Sequence, residues 1–212
     1  MNKNIVIAIG RQNGSGGREI GKKLADQLGI PFYDKQLIQM TAEKSGIHED
    51  ICQASEETAT NSLLYTLSTS GNLWGGRMPM GSELPVTDRI FIAQSEIIKN
   101  LAKEQSCVIV GRCADDILRN NPNCIRVFIH ADLKYRTERM VRLYGLSEEK
   151  AERQVIRMDK KRANYYNYFT DSKWGLAENY TLTLDSAQLG IDGCIGVLKY
   201  LVEQKRAALE NK

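Results

Sequence analysis

The residues Asn13-Gly14-Ser15-Gly16-Gly17 separate an apolar run, Ile5-Val6-Ile7-Ala8-Ile9, from Arg18, Glu19 and a helical pattern. A strand, a glycine-rich turn and a helix start, in that order, aim backbone N–H groups at phosphate oxygens, the chemistry of a nucleotide phosphate cradle. Set against G-x-x-x-x-G-K-[ST], with Gly17-Arg18 at the Gly-Lys pair, Arg18 replaces the lysine. Gln12 then stands at the first glycine and Glu19 where a magnesium-binding hydroxyl belongs. Arginine still bridges phosphate oxygens bidentately but is bulkier than lysine. Glu19 either meets magnesium as an anion or turns away from the phosphates. Phosphate contacts are expected from Gly14, Ser15, Gly16, Gly17, Arg18 and Glu19, the plain alternative being a ligand-free turn before a helix.

A second concentration of charge runs through Arg153, Arg157, Lys160, Lys161 and Arg162. Arg153, Arg157 and Lys161 fall four apart and share a helix face. Brought over a γ-phosphate, such a face stabilises the transferring group and excludes water; left alone, it is an ordinary solvated surface. Arg112 follows Cys107-Val108-Ile109-Val110-Gly111, and Asp34 follows Pro31-Phe32-Tyr33, so both stand at carboxyl ends of strands, where open α/β sheets bind ligands. A buried ion pair or a helix cap explains either equally well. His48 and His130 have no partner at a ligand or triad spacing, and Cys113 has no base, so it reads as a packed side chain. Tyr165, Tyr166, Tyr168, Phe169 and Trp174 form an aromatic cluster that either packs the core or stacks a base.

The elements that must position these groups follow from periodicity. Apolar runs at residues 5–9, 31–33, 107–110, 125–129 and 180–184 alternate with helical patterns. Parallel strands with right-handed crossovers follow, hence a three-layer α/β/α fold on a five-stranded parallel sheet. Ile20, Leu24 and Leu28 line one face of the first helix, which stops at Gly29 with Pro31 beyond. About residues 47–88 lose the strand rhythm and read as a helical insertion on the substrate side, with a glycine-rich exposed loop at 70–82. A basic helical lid is expected at about 147–170, opened by Ser147 as N-cap with Glu148 and Glu149 in its first turn. The last helix spans about 191–209. The chain reads as one domain, 1–212, with its core at 1–46 and 89–212.

Composition narrows the function. With 42% hydrophobic and 26% charged residues over 212 positions, the chain buries a sizeable core. A net charge of +3 is too small to argue for nucleic acid. Five cysteines without a C-x-x-C pair fit neither a disulfide framework nor a zinc site, and suit a reducing, cytoplasmic setting. No window approaches a membrane span or a signal sequence.

Taken in order, the loop through Arg18-Glu19-Ile20, Phe32-Tyr33-Asp34, Val108-Ile109-Val110-Gly111-Arg112, Val127-Phe128-Ile129-His130-Ala131, Arg157-Met158-Asp159-Lys160-Lys161-Arg162 and Leu182-Thr183-Leu184-Asp185-Ser186 resemble the bacterial cytidylate kinases. The Gly-Ser-Gly-Gly-Arg-Glu loop is similar to their cytidylate kinase-like branch. The resemblance implies a P-loop kinase fold and transfer of the ATP γ-phosphoryl group, with Mg2+, to a nucleoside monophosphate, CMP or dCMP. It implies catalytic roles for Arg18, Arg157 and Arg162. Asp34, Arg89, Arg112 and Asp115 would face the acceptor. Cys113 stands where cytidylate kinases carry an acid, with Asp115 and Asp116 the nearest carboxylates. Phosphorylation of another small acceptor, or nucleotide binding in a regulatory protein without fast turnover, are the alternatives.

Overall fold

Along β1, Val6–Arg11, alternate side chains leave opposite faces of the strand, and here both sets are apolar. Ile7 and Ile9, with Ile5 just ahead of the strand, enter one buried cluster with Ile20, Leu24 and Leu198; Val6 and Ala8 enter another with Leu37, Ile98 and Leu101. A strand apolar on both sides belongs at the centre of a parallel sheet covered by helices. The computed structural model describes residues 3–58 and 84–211 and places β1 there.

The other strands are β2 (Phe32–Tyr33), β3 (Cys107–Val110), β4 (Cys124–His130) and β5 (Leu182–Asp185). Their order is β2-β3-β1-β4-β5, and every pairing is parallel. The three-layer, five-stranded expectation holds. Helix α1 (Gly17–Leu28) covers one face together with the long C-terminal helix α8 (Ser186–Glu210). Helices α2 (Gln36–Ser45) and α4 (Val86–Glu104) cover the other, with the short α5 (Ala114–Ile117). Helix α3 (Glu49–Thr58) extends from this layer, its Cys52 packed with Ile38 and Ile90. The glycine-rich stretch at 70–82 and most of the expected insertion lie outside the described residues.

Helix α1 stops where expected: Gly29 sits at φ 63° and returns its N–H to the carbonyls of Ala25 and Asp26. Helix α8 carries a break at Gly190, with φ 68° and ψ 172°, so its continuous part begins at residue 191. One helix is absent from the sequence reading: α6, Leu133–Tyr144, capped by Asp132, whose carboxylate accepts the Tyr135 N–H at 2.8 Å. It packs through Met140 against Ala151 and Val155 of α7 (Glu148–Phe169), so the basic helix is one arm of a helical pair.

Candidate active site

The chain leaves β1 toward β2 on one side of the sheet, and its neighbour β4 toward β5 on the other. Their carboxyl ends therefore mark the point where connections diverge, the usual ligand crevice of an open α/β sheet. The glycine-rich loop crosses this point. Gln12 ties it to β4: its N–H donates to the Ile129 carbonyl at 3.0 Å and its Oε1 accepts the Ala131 N–H at 3.1 Å. The Ser15 hydroxyl donates to the Gln12 carbonyl at 2.9 Å, and the Ser186 hydroxyl to the Ser15 carbonyl at 2.7 Å. Gly14 must be glycine, because it lies at φ +79° and a Cβ there would meet the Arg136 carbonyl at 2.8 Å. Gly16 caps α1, leaving the N–H groups of Gly17, Arg18 and Glu19 without intrahelical partners at the positive end of the dipole.

Helix α6 supplies two arginines that the sequence reading missed. Buried Arg136 donates through Nε to the Ala131 carbonyl at 2.9 Å and through Nη1 to the Asn13 carbonyl at 3.2 Å. The same Nη1 pairs with Asp159 of α7 at 2.5 Å. Asp159 also accepts the Asn13 N–H at 2.6 Å. Arg139 pairs with one carboxylate oxygen of Glu19 while Lys23 takes the other at 3.0 Å. The contact with Lys23, followed by the charge of Arg139, holds the Glu19 carboxyl below its ordinary value despite some desolvation. Asp132 and Gly145, as N-cap and C-terminal glycine, were the available signals for this helix.

Beside the loop lies a cavity of about 300 Å3. Its wall turns at Gly111-Arg112-Cys113, three consecutive residues with φ of 81°, 56° and 55°. Left-handed backbone at two non-glycine residues is strained, and such strain persists where the surroundings dictate it. Here it carries Arg112 off β3 into the cavity lining. Arg11, Arg18, Lys35, Lys161 and Arg162 line the same space, opposed by Asp34 and Asp115. Ile38, Met158, Tyr165, Tyr166 and Trp174 give it an apolar side. Phe91 stacks on Phe169 with centroids 4.2 Å apart and meets Tyr165 edge-on, which anchors that end of α7.

The electrostatics are those of a site short of anions. Burial lowers the Arg112 guanidinium to about 10, with Tyr165 and Asp34 opposing and Arg11 adding to the shift. Burial and then the charge of Arg11 lower Arg162 to about 9. Burial pushes the Asp115 carboxyl up to about 6, although it accepts the Tyr166 hydroxyl at 2.9 Å. Such a surplus of buried cations over carboxylates favours an anionic ligand. Cys113 is buried, with its thiol raised well above its ordinary value, first by burial and then by Asp115; that fits a packed side chain and not a nucleophile.

The expected site residues are partly gathered. Arg18, Asp34, Arg112, Asp115 and Arg162 line one cavity. Arg18 does not lie along the phosphate loop: its Nε donates to Asp34 at 2.6 Å, and its side chain stays 63% exposed. Arg157 and Arg89 are exposed and outside the lining, and Arg153 pairs with Glu149 on the surface. Among the described residues no three His, Cys, Asp or Glu side chains group to hold a metal ion. Both oxygens of Glu19 are held by cations, so direct coordination there requires one pair to open.

Beside this strand-loop-helix cradle and cationic cavity stands a match of the sequence: the model of the cytidylate kinase-like family covers residues 6–188. The chain belongs to the cytidylate kinase-like family. The crystal structure of an uncharacterised protein from Eubacterium ventriosum ATCC 27560 superposes on it with a TM-score of 0.68 at 30% identity, over 94% of this chain and 99% of that one. Two enzymes share only the fold. A shikimate kinase from Bacteroides thetaiotaomicron gives a TM-score of 0.50 at 16% identity, over 94% of this chain and 98% of that one. A gluconokinase from Sinorhizobium meliloti 1021 gives 0.51 at 16%, over 96% and 97%. Curated protein sequences give no match. This cytidylate kinase-like protein thus has the P-loop kinase fold, and among its described residues no helix is long and apolar enough to cross a membrane.

Proposed function

We propose that this cytidylate kinase-like protein transfers the γ-phosphoryl group of ATP to a nucleoside monophosphate, with CMP or dCMP as the acceptor. The observation that carries this reading is the cavity of about 300 Å3 in which Arg11, Arg18, Lys35, Arg112, Lys161 and Arg162 face only two carboxylates, beside a glycine loop that opens a helix. Cations at that density suit phosphates, and the wall of Tyr165, Tyr166 and Trp174 suits a planar ring.

In this reading the donor's phosphates lie along the amides of residues 14–19, as anions do at helix N-termini. Arg112 and Arg162 hold the acceptor's phosphate in line with them, and Asp34, steered by Arg18, and Asp115 face the rest of the acceptor. Catalysis is by positioning and by charge stabilisation, since phosphoryl transfer asks little covalent chemistry of the protein. Mg2+ would arrive on the nucleotide's own phosphates, neutralising charge there; among the described residues no cluster of His, Cys, Asp or Glu is grouped to hold it. ATP as donor fits a cytoplasmic setting.

The test is ADP release with ATP and Mg2+ across nucleoside monophosphates and small hydroxyl acceptors, beside ATP binding by calorimetry. CMP-stimulated turnover is expected. Turnover with a hydroxyl acceptor alone moves the reading to another small-molecule kinase. ATP binding that no acceptor converts into turnover leaves a nucleotide-binding protein and overturns the proposal.

A further inference from the structure

The position normally given to a lysine holds Arg18, which is turned to Asp34 and largely exposed. A second arginine lies deeper. Arg11 ends β1, and its side chain enters the cavity between two glycines. A Cβ on Gly17 would meet the Arg11 Cβ at 2.5 Å, and a Cβ on Gly111 would collide with its Nη1. Gly17 thus leaves room for the base of the Arg11 side chain and Gly111 for its guanidinium.

Among the described residues no carboxylate or carbonyl accepts a hydrogen bond from the Arg11 guanidinium. The nearby acids are already engaged: Asp34 by Arg18, and Asp159 by Arg136 and the Asn13 amide. The Arg11 carbonyl accepts Nη1 of Arg162 at 3.2 Å, which fixes the backbone of Arg11 between the loop and α7. A half-buried guanidinium that meets no carboxylate or carbonyl among the described residues and lines a cationic cavity is a site suited to an anion from outside the chain. Burial lowers its affinity for its proton, and the charge of Arg18 adds to this against Asp34 and Asp159.

Resting on the kinase reading above, we infer that Arg11, not Arg18, is the cation that meets the phosphoryl group in transfer. As the acceptor's phosphate oxygen forms its bond to the γ-phosphorus, the bond from that phosphorus to the bridging oxygen breaks, and the electron pair stays on the β-phosphate of ADP. A dianionic acceptor has no proton to lose. Arg11 supplies donors to the equatorial oxygens that carry the spread charge, in the place a lysine takes elsewhere.

The experiment compares wild type with Arg11→Met and Arg11→Gln, each shown to fold by its unliganded melting curve. Inorganic phosphate alone is the first probe, read as a shift in Tm. Wild type is expected to be stabilised and both variants to lose the shift. The second readout is kcat with CMP, expected to fall about 100- to 1000-fold, the scale of losing one transition-state donor, while the Kd for ATP moves less than threefold. Either variant decides if the other does not fold. A wild type that phosphate does not stabilise, a variant that keeps its phosphate shift, or a variant that keeps its kcat overturns the assignment. Absence of turnover in wild type with every acceptor sinks the kinase reading instead, and the phosphate shift still decides whether Arg11 is the anion contact.

Discussion

Asp159, on α7, accepts the backbone N–H of Asn13 in the phosphate loop at 2.6 Å and at the same time pairs with buried Arg136. One carboxylate thereby fastens the basic helix, the loop and α6 together. Removing one member of a buried pair leaves an uncompensated charge, which costs about 3–5 kcal/mol. Asp159→Ala is therefore expected to lower Tm by about 6–20 °C for a chain of this size. Calorimetry checks it. A fall of under 2 °C would mean that Arg136 finds another partner and that the fastening is dispensable.

Arg18 and Asp34 make a different kind of pair. With the arginine side chain 63% exposed, the bond contributes under about 1 kcal/mol to stability. Its expected effect is on the acceptor side of the cavity. Arg18→Ala should reduce kcat/KM for the acceptor about tenfold through a loosened Asp34, with ATP affinity within about twofold, a loss on the scale of one charge-assisted contact. Kinetics at saturating ATP with the acceptor varied, beside calorimetric ATP binding, separate the two. A tenfold loss of ATP affinity would return Arg18 to the donor's phosphates.

Much of this scaffold is legible in the chain, because a strand buried on both faces must be apolar throughout. The run at 107–110 marks β3 residue for residue, and Gly29 ends α1 as expected. The site is less legible, since Asp34 and Arg112 are marked only by their place after strands. Helix α6 escapes because its buried face includes Arg136, Thr137 and Arg139 beside Met140, which blurs the apolar stripe that reveals a helix. Arg11 escapes for another reason: in sequence it is a charge at a strand end. Only the sheet register, which pairs Ile9 with Val110 and so leaves Gly111 beside the end of β1, within reach of the Arg11 side chain, shows that glycines make room for it.

Asp115 offers a test in pH. Its folded-state value, about 6, stands above the ordinary 3.8 because of burial, so the native state holds the proton more tightly than the unfolded chain. The resulting stabilisation is full below about pH 4 and is lost as pH rises through about 6. Between pH 4.5 and 7.5 the wild type should lose about 2 kcal/mol relative to Asp115→Asn, which still accepts the Tyr166 hydroxyl but does not titrate. Urea unfolding of both proteins at the two pH values measures the difference. Parallel profiles would place the Asp115 carboxyl at its ordinary value.

Of the three arginines on α7, Arg157 and Arg162 are separated by about one and a half turns, and of these two only Arg162 lines the cavity. Arg162 lines the cavity and holds the Arg11 carbonyl, whereas Arg157 is exposed and outside it. The far end of α7 is anchored by Phe91 and Phe169, and its near end by Met140 and Val155, so the helix has little freedom to roll by itself. Arg162→Met is therefore expected to lower kcat about 100-fold or more, and Arg157→Ala less than about threefold, as for a solvated charge. Steady-state rates of the two variants decide between a lid already seated on the phosphate loop and one that must swing. Equal losses at both positions would require α6 and α7 to rotate together when the nucleotide binds, carrying Arg157 inward and breaking the Asp159 contact with Asn13.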